Sequence, residues 1–355
     1  MSIKEKLGDK IYNDMLDNAC AVKGNSAPIK RAFSKDVIKI AFTGGSVTYG
    51  YFPSGEPCSM GYESNFEKML KDKFPTKKFE FLNLGISGTA CLMGLFLSEY
   101  KIIAFAPDII FVEYALNENN SPEGIERYES LLRKLIGFDN SPAVIPISAL
   151  SRSGYSCEEY TNALAQHYNI FAMGLKNALT PILQNNKLEW SEYSCDEGHP
   201  TIDGHILIAD CLMRLIDIAL ICDKNYNSES NSVMVSNRLE SLKLLDFKSL
   251  NNIKPSDKNC FSFEDCVEIC GDVFFEIGCK CLAVVFIASN SESFTDCTVT
   301  IDGDEVCTLQ GYSIFGWNNP ISQMIFSSDE KNQHTVKISP IEKSKHFVLC
   351  AIGFI

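Results

Sequence analysis

Two segments of this 355-residue sequence carry residue types that can do nucleophilic chemistry. In the first, Gly45 and Ser46 follow the apolar segment 37–42, which places a serine in a tight glycine turn. In the second, Asp196 stands three residues before His199. A serine hydroxyl attacks well only when a base takes its proton, and an imidazole is an effective base when a carboxylate orients it. The two segments therefore predict a serine, histidine and aspartate that act together, provided that the fold brings them into contact.

The sequence between these segments alternates between strand-like and helix-like patterns. Short β-rich runs predict strands over residues 37–42, 79–84, 108–114 and 143–150. Apolar residues at helical spacing predict helices over residues 62–74, 91–105, 122–136, 158–166, 171–183 and 202–221, with Ser121 as an N-cap and Pro122 in the first helical position. Strands separated by helices indicate an α/β fold with a parallel sheet that has helices on both faces.

A candidate functional residue follows each of three predicted strands. Ser46 comes directly after the first strand, Gly88 follows the second after a short loop, and Asn117 follows the third. Ligands bind at the carboxyl ends of the strands in such folds. We therefore expect these three residues to converge on one edge of the sheet.

The residue pattern changes on both sides of this α/β region. A helix is predicted over residues 3–20, followed by a loop, so that residues 1–36 form an N-terminal extension before a domain at 37–224. The polar segment 223–232 is the best candidate for a linker. Beyond it, short β-branched and aromatic runs with a hairpin signal at Asp302 and Gly303 predict a smaller antiparallel β-sandwich within residues 225–355.

Four blocks of the sequence resemble those of the SGNH hydrolases, also called the GDSL esterase family. They are Phe-Thr-Gly-Gly-Ser-Val-Thr-Tyr-Gly at 42–50, Asn-Leu-Gly-Ile-Ser-Gly-Thr at 83–89, Tyr-Ala-Leu-Asn-Glu at 114–118 and Asp-Glu-Gly-His-Pro at 196–200. They occur in the order of the family and span about half of the chain. The sequence is similar to a Gly-Gly-Ser variant of that family with an appended C-terminal β-domain.

The resemblance implies a fold, a mechanism and a set of site residues. The fold is a three-layer α/β/α flavodoxin-like sheet, and the reaction is acyl transfer from a carboxylic ester to water, without a metal or organic cofactor. Ser46 is implied as the nucleophile, His199 as the base and Asp196 as its orienting carboxylate. The oxyanion hole is implied to consist of the Ser46 and Gly88 backbone N–H groups and the Asn117 side-chain amide.

The sequence departs from the family at two positions. Gly45 stands where the older family name has aspartate, and Glu118 stands where the third block more often has aspartate. The second departure is tolerable if the acid only supports its loop, but it misplaces Asn117 if the acid must make one fixed hydrogen bond. Substrate-pocket roles are further hypotheses for Gly45, Tyr49, Glu118 and Trp190.

Other interpretations of the same residues remain open. The Gly-Gly-Ser turn is also compatible with a phosphate loop, although the lysine of a Walker motif is missing. His205 is a rival to His199 as the base, but its position inside the last helix favours a packing role. Asp203 is a rival to Asp196, but it follows His199 and suits a first helical turn. His167 ends a helix and is expected to be structural. Trp317 is either a core residue of the β-domain or a platform on which a sugar stacks.

Composition restricts the partners. The formal net charge is −13, with 45% hydrophobic and 22% charged residues and no basic run, which argues against a nucleic-acid partner. No apolar run reaches membrane-spanning length, and the mixed charges of the first residues predict a cytoplasmic protein without a membrane partner.

The 15 cysteines are an odd number, and we expect reduced thiols rather than disulfides. Because Cys260, Cys266, Cys270, Cys279 and Cys281 lack paired C-x2-C spacing, they do not predict a metal site.

The substrate is expected to be a short-acyl ester, such as an acetyl ester of a carbohydrate or a small metabolite, because the block variants resemble family members linked to sugar esters. Two alternatives remain. The same three residues also suit a lipid esterase, a thioesterase or an O-acyltransferase, and a decayed site leaves a non-catalytic carbohydrate-binding protein. A homo-oligomer is possible from the sequence, which carries no signal for or against one.

Overall fold

The chain forms two compact units in a computed structural model that describes residues 1–51, 60–222, 232–258, 260 and 262–355. The first unit contains Met1–Cys91 and Ile102–Asn237, and the second contains Leu92–Lys101 and Arg238–Ile355. The predicted domain boundary after residue 224, and all but the last residue of the predicted linker, lie outside the described residues.

A parallel five-stranded sheet forms the centre of the first unit. Its strand order is β2-β1-β3-β4-β5, which is the order of flavodoxin-like folds. The strands are β1 (Val37–Gly44), β2 (Lys78–Gly85), β3 (Ile109–Glu113), β4 (Ala143–Ser148) and β5 (Met173–Gly174). Strand β3 is buried along its whole length, as expected for a strand covered on both faces. The predicted α/β/α fold class is confirmed.

Helices precede, connect and follow these strands. They are α1 (Ile3–Ala19), α2 (Ala27–Phe33), α3 (Ser46–Tyr49), α4 (Tyr62–Lys73), α5 (Cys91–Leu97), α6 (Ile103–Phe105), α7 (Pro122–Ile136), α8 (Glu158–His167), α9 (Lys176–Gln184), α10 (Trp190–Tyr193) and α11 (Ile202–Ile221). The Ser121 hydroxyl caps α7 by accepting the Gly124 N–H at 3.2 Å, as its sequence predicted. A π-helical stretch, Ser98–Ile102, separates α5 from α6, so the single helix predicted over 91–105 is interrupted.

Two local predictions in this unit are wrong. The helix predicted over 171–183 begins only at Lys176, because Met173 and Gly174 pair with Ile147 and Ser148 as the edge strand β5. A strand of two residues is too short to show a period in the sequence. The loop expected before β1 contains the seven-residue helix α2, which buries Ile29, Ala32 and Phe33 at helical spacing.

The second unit is an antiparallel sheet with the order β11-β10-β12-β9-β13-β8-β7, and β6 pairs with β13. The strands are β6 (Lys243–Leu244), β7 (Ile253–Pro255), β8 (Val267–Ile269), β9 (Val273–Ser289), β10 (Cys297–Ile301), β11 (Asp304–Leu309), β12 (Trp317–Pro340) and β13 (Val348–Phe354). The predicted hairpin turn joins β10 to β11, where Asp302 and Gly303 both have positive φ. The β-rich runs 273–277 and 282–287, which the sequence predicts as two short strands, are both parts of β9, whose pairing with β12 continues past register shifts.

Candidate active site

Ser46 lies just beyond the end of β1, between the edge strand β2 and the central strand β3. Gly44 of β1 is in register with Gly85 of β2 and with Glu113 of β3, so three strands finish at the same level. The Gly45 N–H donates to the Glu113 carbonyl at 2.9 Å, and α3 begins at Ser46. The chain therefore turns from strand to helix at the serine, and Ser46 is held at the carboxyl edge of the sheet.

Asp196 and His199 lie on a loop that is closed on itself. Ser194 and Pro200 form an antiparallel bridge, and the Cys195 N–H donates to the His199 carbonyl at 2.8 Å. The Ser194 hydroxyl donates to the same carbonyl at 2.8 Å. These hydrogen bonds leave the segment between residues 195 and 199 little freedom, so the position of the imidazole is fixed by backbone geometry.

The structure brings the three predicted residues together. His199 Nε2 lies 2.9 Å from Ser46 Oγ, and His199 Nδ1 lies 2.8 Å from Asp196 Oδ2. Because a carboxylate can only accept, the hydrogen-bond network assigns the proton to Nδ1 and leaves Nε2 as an acceptor for the serine hydroxyl. This sequence of contacts is what a base-activated serine requires.

The Asp196 carboxylate is held in its ionised form. Burial raises its pKa, but hydrogen bonds from the Gly198 and His199 N–H groups and from the His199 imidazole outweigh that effect. The net pKa of Asp196 is lower than its ordinary value. The carboxylate therefore stays charged at neutral pH, where it can stabilise an imidazolium that forms beside it.

Three N–H donors lie on the loops that follow β1, β2 and β3. They are the backbone N–H groups of Ser46 and Gly88 and the Asn117 side-chain amide. Gly88 has a φ of +75°, which favours glycine, and it follows the end of β2 by three residues. Across the described part of the chain, none of these donors has a protein acceptor.

Gly45 leaves room for the Asn117 side chain. A Cβ built on Gly45 lies 3.2 Å from Asn117 Oδ1 and 3.4 Å from Asn117 Nδ2, which is closer than ordinary van der Waals contact. A larger residue at position 45 displaces the amide. The absence of a side chain at Gly45 therefore goes with a close approach of Asn117 to the serine turn.

The Glu118 carboxylate supports the loop that carries Asn117. Its side chain is 1% exposed, and its Oε1 accepts from Arg127 Nη2 at 2.7 Å. Glu118 Oε2 accepts the Cys91 N–H at 3.2 Å, at the start of α5. These contacts tie the loop to α7 and to Cys91, so the Glu118 side chain is accommodated by partners within the first unit.

A second buried carboxyl lies beside the serine turn. Glu113 ends β3, is 1% exposed, and its Oε2 lies 3.4 Å from the Thr48 hydroxyl of α3. Burial raises the pKa of Glu113 to about 7, although hydrogen bonds from Ala115, Thr48 and Gly45 oppose the change. Glu113 joins the end of β3 to α3 and thereby stabilises the turn that presents Ser46.

The remaining candidates have other surroundings. Trp190 donates through Nε1 to the Asp196 carbonyl at 2.6 Å, which fixes the aspartate loop from its other side. Tyr49 is half-buried on α3. The aromatic ring that packs against His199 belongs to Tyr51, at a centroid distance of 4.4 Å, and the sequence analysis did not select it. Its only signal was an aromatic residue two positions after the end of α3.

The rival histidine has a packing role. His205 is fully buried on α11, and its Nδ1 accepts the Tyr62 N–H at 3.2 Å. Burial lowers the pKa of His205 to about 4, so this imidazole is neutral at physiological pH. His167 Nε2 lies 2.8 Å from the Ser232 carbonyl, as expected for a structural residue at a helix end.

Comparison with known proteins shows similarity in structure only. No family model and no curated protein sequence matches the chain. A two-domain esterase active on acetylated mannans matches with a TM-score of 0.84 and 22% identity over 96% of this chain and 98% of the other. A structure of such an esterase with mannopentaose matches with a TM-score of 0.84 and 21% identity over 96% and 97%.

A third solved structure matches less of the chain. An acetylxylan esterase from Geobacillus stearothermophilus covers 57% of this chain with all of its own length, at a TM-score of 0.41 and 19% identity. Together, the parallel sheet and the antiparallel sheet of this chain have the fold of the two-domain esterase structures.

Proposed function

We propose that this protein is a serine esterase that removes short acyl groups, acetyl above all, from carbohydrates. The observation that carries the proposal is the hydrogen-bonded series from Asp196 through His199 to Ser46, with distances of 2.8 and 2.9 Å. The similar two-domain fold of esterases active on acetylated mannans supports the choice of substrate class.

The first half of the proposed reaction forms an acyl-enzyme. Ser46 Oγ bonds to the ester carbonyl carbon while its proton moves to His199 Nε2. The carbonyl oxygen takes up negative charge and is stabilised by the Ser46 and Gly88 N–H groups and the Asn117 amide. The bond to the leaving oxygen then breaks, and the departing alcohol takes the proton from His199.

Water completes the reaction in the second half. It attacks the acyl carbon while His199 Nε2 accepts its proton, and the same oxyanion forms against the same donors. The bond to Ser46 Oγ breaks, the proton returns to that oxygen, and the carboxylic acid leaves. Asp196 keeps the proton on Nδ1 and remains charged throughout.

Glu118, Trp190 and Tyr51 are proposed as positioning residues. Glu118 fixes the loop of Asn117 through Arg127, and Trp190 fixes the loop of Asp196 through its carbonyl. The Tyr51 ring restricts the imidazole by packing against it. The Tyr51 N–H also donates to the Ser46 carbonyl at 2.9 Å, so the ring and the serine share one backbone turn.

The second unit is proposed to hold the carbohydrate chain. Ile314, Phe315 and Trp317 are 69%, 71% and 68% exposed. Trp317 is thus not a core residue, and an exposed apolar group of this kind marks an interaction surface. A sugar ring can stack on the flat indole.

Hydrolysis of p-nitrophenyl acetate tests the activity directly. We expect turnover by the native chain and a loss of about 10⁶-fold in kcat for Ser46→Ala. Ser191→Ala, at an exposed serine on α10, is the matched control and keeps full activity. A fluorophosphonate probe should label the native protein at Ser46, and absence of both labelling and turnover would favour a carbohydrate-binding protein.

A substrate series separates the remaining alternatives. We expect acetyl esters to be cleaved faster than butyryl or octanoyl esters, and acetylated mannan to release acetate. Preference for long chains identifies a lipid esterase, and preference for acyl-coenzyme A identifies a thioesterase. Transfer of acetyl to an added sugar in place of water identifies an O-acyltransferase.

A further inference from the structure

The second unit contains a cluster of three buried thiols. The Sγ atoms of Cys260, Cys266 and Cys350 all lie within 4.8 Å of one another. The residues are 2%, 5% and 3% exposed, and none of them forms a disulfide. Of the His, Cys, Asp and Glu side chains in the described residues, this is the one group of three whose ligand atoms converge in this way.

Strand pairing brings the thiols together from distant parts of the chain. Leu349 of β13 is in register with Val267 of β8, so Cys350 stands beside Cys266 across the antiparallel pair. The Phe263 N–H donates to the Cys260 carbonyl at 2.6 Å. Cys260 and Cys266 therefore supply two of the sulfur atoms, and Cys350 of β13 supplies the third.

The backbone around the cluster is fixed by independent contacts. The Phe263 ring packs against Tyr100 at a centroid distance of 5.0 Å. The Tyr100 hydroxyl oxygen accepts the Glu264 N–H at 2.7 Å and the Asp265 N–H at 3.2 Å. The three thiols are thus presented on a preformed frame.

Their geometry fits a zinc ion. Tetrahedral zinc with bonds of about 2.3 Å to sulfur places its sulfur ligands about 3.8 Å apart. Sulfur atoms that already lie within 4.8 Å reach this spacing through small side-chain rotations. Thiolates are soft ligands, which favour zinc over magnesium or calcium.

A cavity gives the cluster an entry path. Cys266 and Cys350 line a cavity of about 730 Å³ in the second unit, together with Tyr100, Val267 and Ala351. An ion that reached the three sulfur atoms from this cavity would have one side left for a water molecule. Three protein ligands and one open position are a common arrangement for zinc.

We propose that Cys260, Cys266 and Cys350 bind one zinc ion as thiolates, with the fourth position open to the cavity. Each thiol releases its proton to the buffer when it binds, so the affinity rises with pH. The ion ties Cys260 and Cys266 to β13 and stabilises this end of the sheet.

Metal titration of the full chain tests the proposal. The protein is reduced, stripped of metal and titrated with Zn²⁺ against a chromophoric chelator, and the stoichiometry is read by native mass spectrometry. We expect one ion per chain. Co²⁺ should give the visible spectrum of a tetrahedral site with sulfur-to-metal charge transfer, a signature that depends on thiolate ligands and not on esterase activity.

Cysteine variants identify the ligands. Cys350→Ser should weaken zinc binding by roughly a hundredfold or more, since loss of an outer-sphere partner alone already costs about 10–100-fold. Cys270→Ser removes an exposed thiol four residues from Cys266 and is the matched control, with unchanged affinity. If Cys350→Ser does not fold, Cys266→Ser gives the same comparison, with circular dichroism as the check of folding.

Several results would overturn the proposal. They are substoichiometric zinc binding by the folded native chain, an equal affinity in Cys350→Ser and Cys270→Ser, and tight binding of Cu⁺ without tight binding of Zn²⁺. An unchanged melting temperature on addition of saturating Zn²⁺ would also contradict it, because binding to the folded state alone must raise that temperature.

Discussion

Asp196 binds His199 with both of its carboxylate oxygens. Oδ2 accepts from the imidazole Nδ1 at 2.8 Å, and Oδ1 accepts the backbone N–H of the same residue at 2.9 Å. Oδ1 also accepts the Gly198 N–H at 3.0 Å, so the backbone of the Asp-x-x-His segment wraps around the carboxylate. The aspartate therefore orients the ring relative to its own backbone.

Asp196→Asn should lower kcat by about 10⁴-fold. If the asparagine amide nitrogen faces the ring, Nδ1 must accept, so the proton moves to Nε2 and the imidazole cannot take the proton of Ser46. Steady-state hydrolysis of p-nitrophenyl acetate measures the effect. Asp203→Asn, in the first turn of α11, is the control and should keep activity within a factor of a few. Equal losses in the two variants would contradict the role of Asp196.

Asn117→Ala should lower kcat by about 10²–10³-fold with little change in KM, because one oxyanion donor is lost. Gly45→Ala should also lower kcat, since its new methyl group falls within 3.4 Å of the Asn117 amide. If Gly45→Ala acts through that amide, it should have little further effect in the Asn117→Ala background. Additive losses in the double variant would show that Gly45 acts by another route.

Glu118→Gln should lower the free energy of unfolding by about 3 kcal/mol, because it leaves Arg127 without its buried partner. Glu118→Asp keeps the charge and should cost less. Urea denaturation measures both variants. The control is Asp72→Asn, which breaks the exposed pair of Lys68 and Asp72 and should change stability by less than about 1 kcal/mol.

Glu113→Gln should flatten the dependence of stability on pH. The pKa of Glu113 is about 7 in the folded chain and near its ordinary 4.5 in the unfolded chain, so the folded state binds more protons between these values. The contribution of Glu113 is most favourable below about pH 4.5 and is lost as the pH rises to about 7.

The native protein should therefore lose stability relative to Glu113→Gln over that pH interval. The expected difference is of the order of 3 kcal/mol, from 1.36 kcal/mol for each pKa unit. Urea denaturation at a series of pH values gives the comparison. Parallel stability profiles for the two proteins would show that Glu113 does not titrate in this range.

Trp317→Ala should raise the KM for acetylated mannan by about tenfold and leave the hydrolysis of p-nitrophenyl acetate unchanged. The indole is expected to contact the sugar chain and not the ester. Phe274→Ala removes another exposed aromatic ring of the second unit and is the control. An equal KM for acetylated mannan in the native chain, in Trp317→Ala and in Phe274→Ala would show that Trp317 does not bind the carbohydrate.

Strong local patterns were predicted from the sequence, and weak ones were not. The run before Ser46 and the amphipathic pattern of α7 specify their own elements, so their bounds agree with the structure to within two residues. Strand β5 was missed because its two residues become a strand only by pairing with β4. The contact of Tyr51 with His199 was missed for a similar reason, since nothing near Tyr51 in the sequence marks a histidine 148 positions later.

The thiol cluster shows the same limit. Cys260 and Cys266 lack zinc spacing, and the sequence therefore predicted no metal site. The third sulfur comes from Cys350, which is brought to them by the pairing of β13 with β8. Register between distant strands depends on the packing of the whole sheet, and a local spacing rule cannot contain it.

By itself, the sequence determined the parallel α/β architecture, the antiparallel second unit and the choice of Ser46, Asp196 and His199 as candidates, because periodicity and spacing are local properties. The tertiary structure alone decided that His199 Nε2 lies 2.9 Å from Ser46 Oγ and that Glu118 is joined to Arg127. Such distances arise when β1, β2 and β3 end at one level and the loops beyond them pack against each other. Hydrogen bonds depend on positions to within a fraction of an ångström, and only the packed chain sets positions so closely.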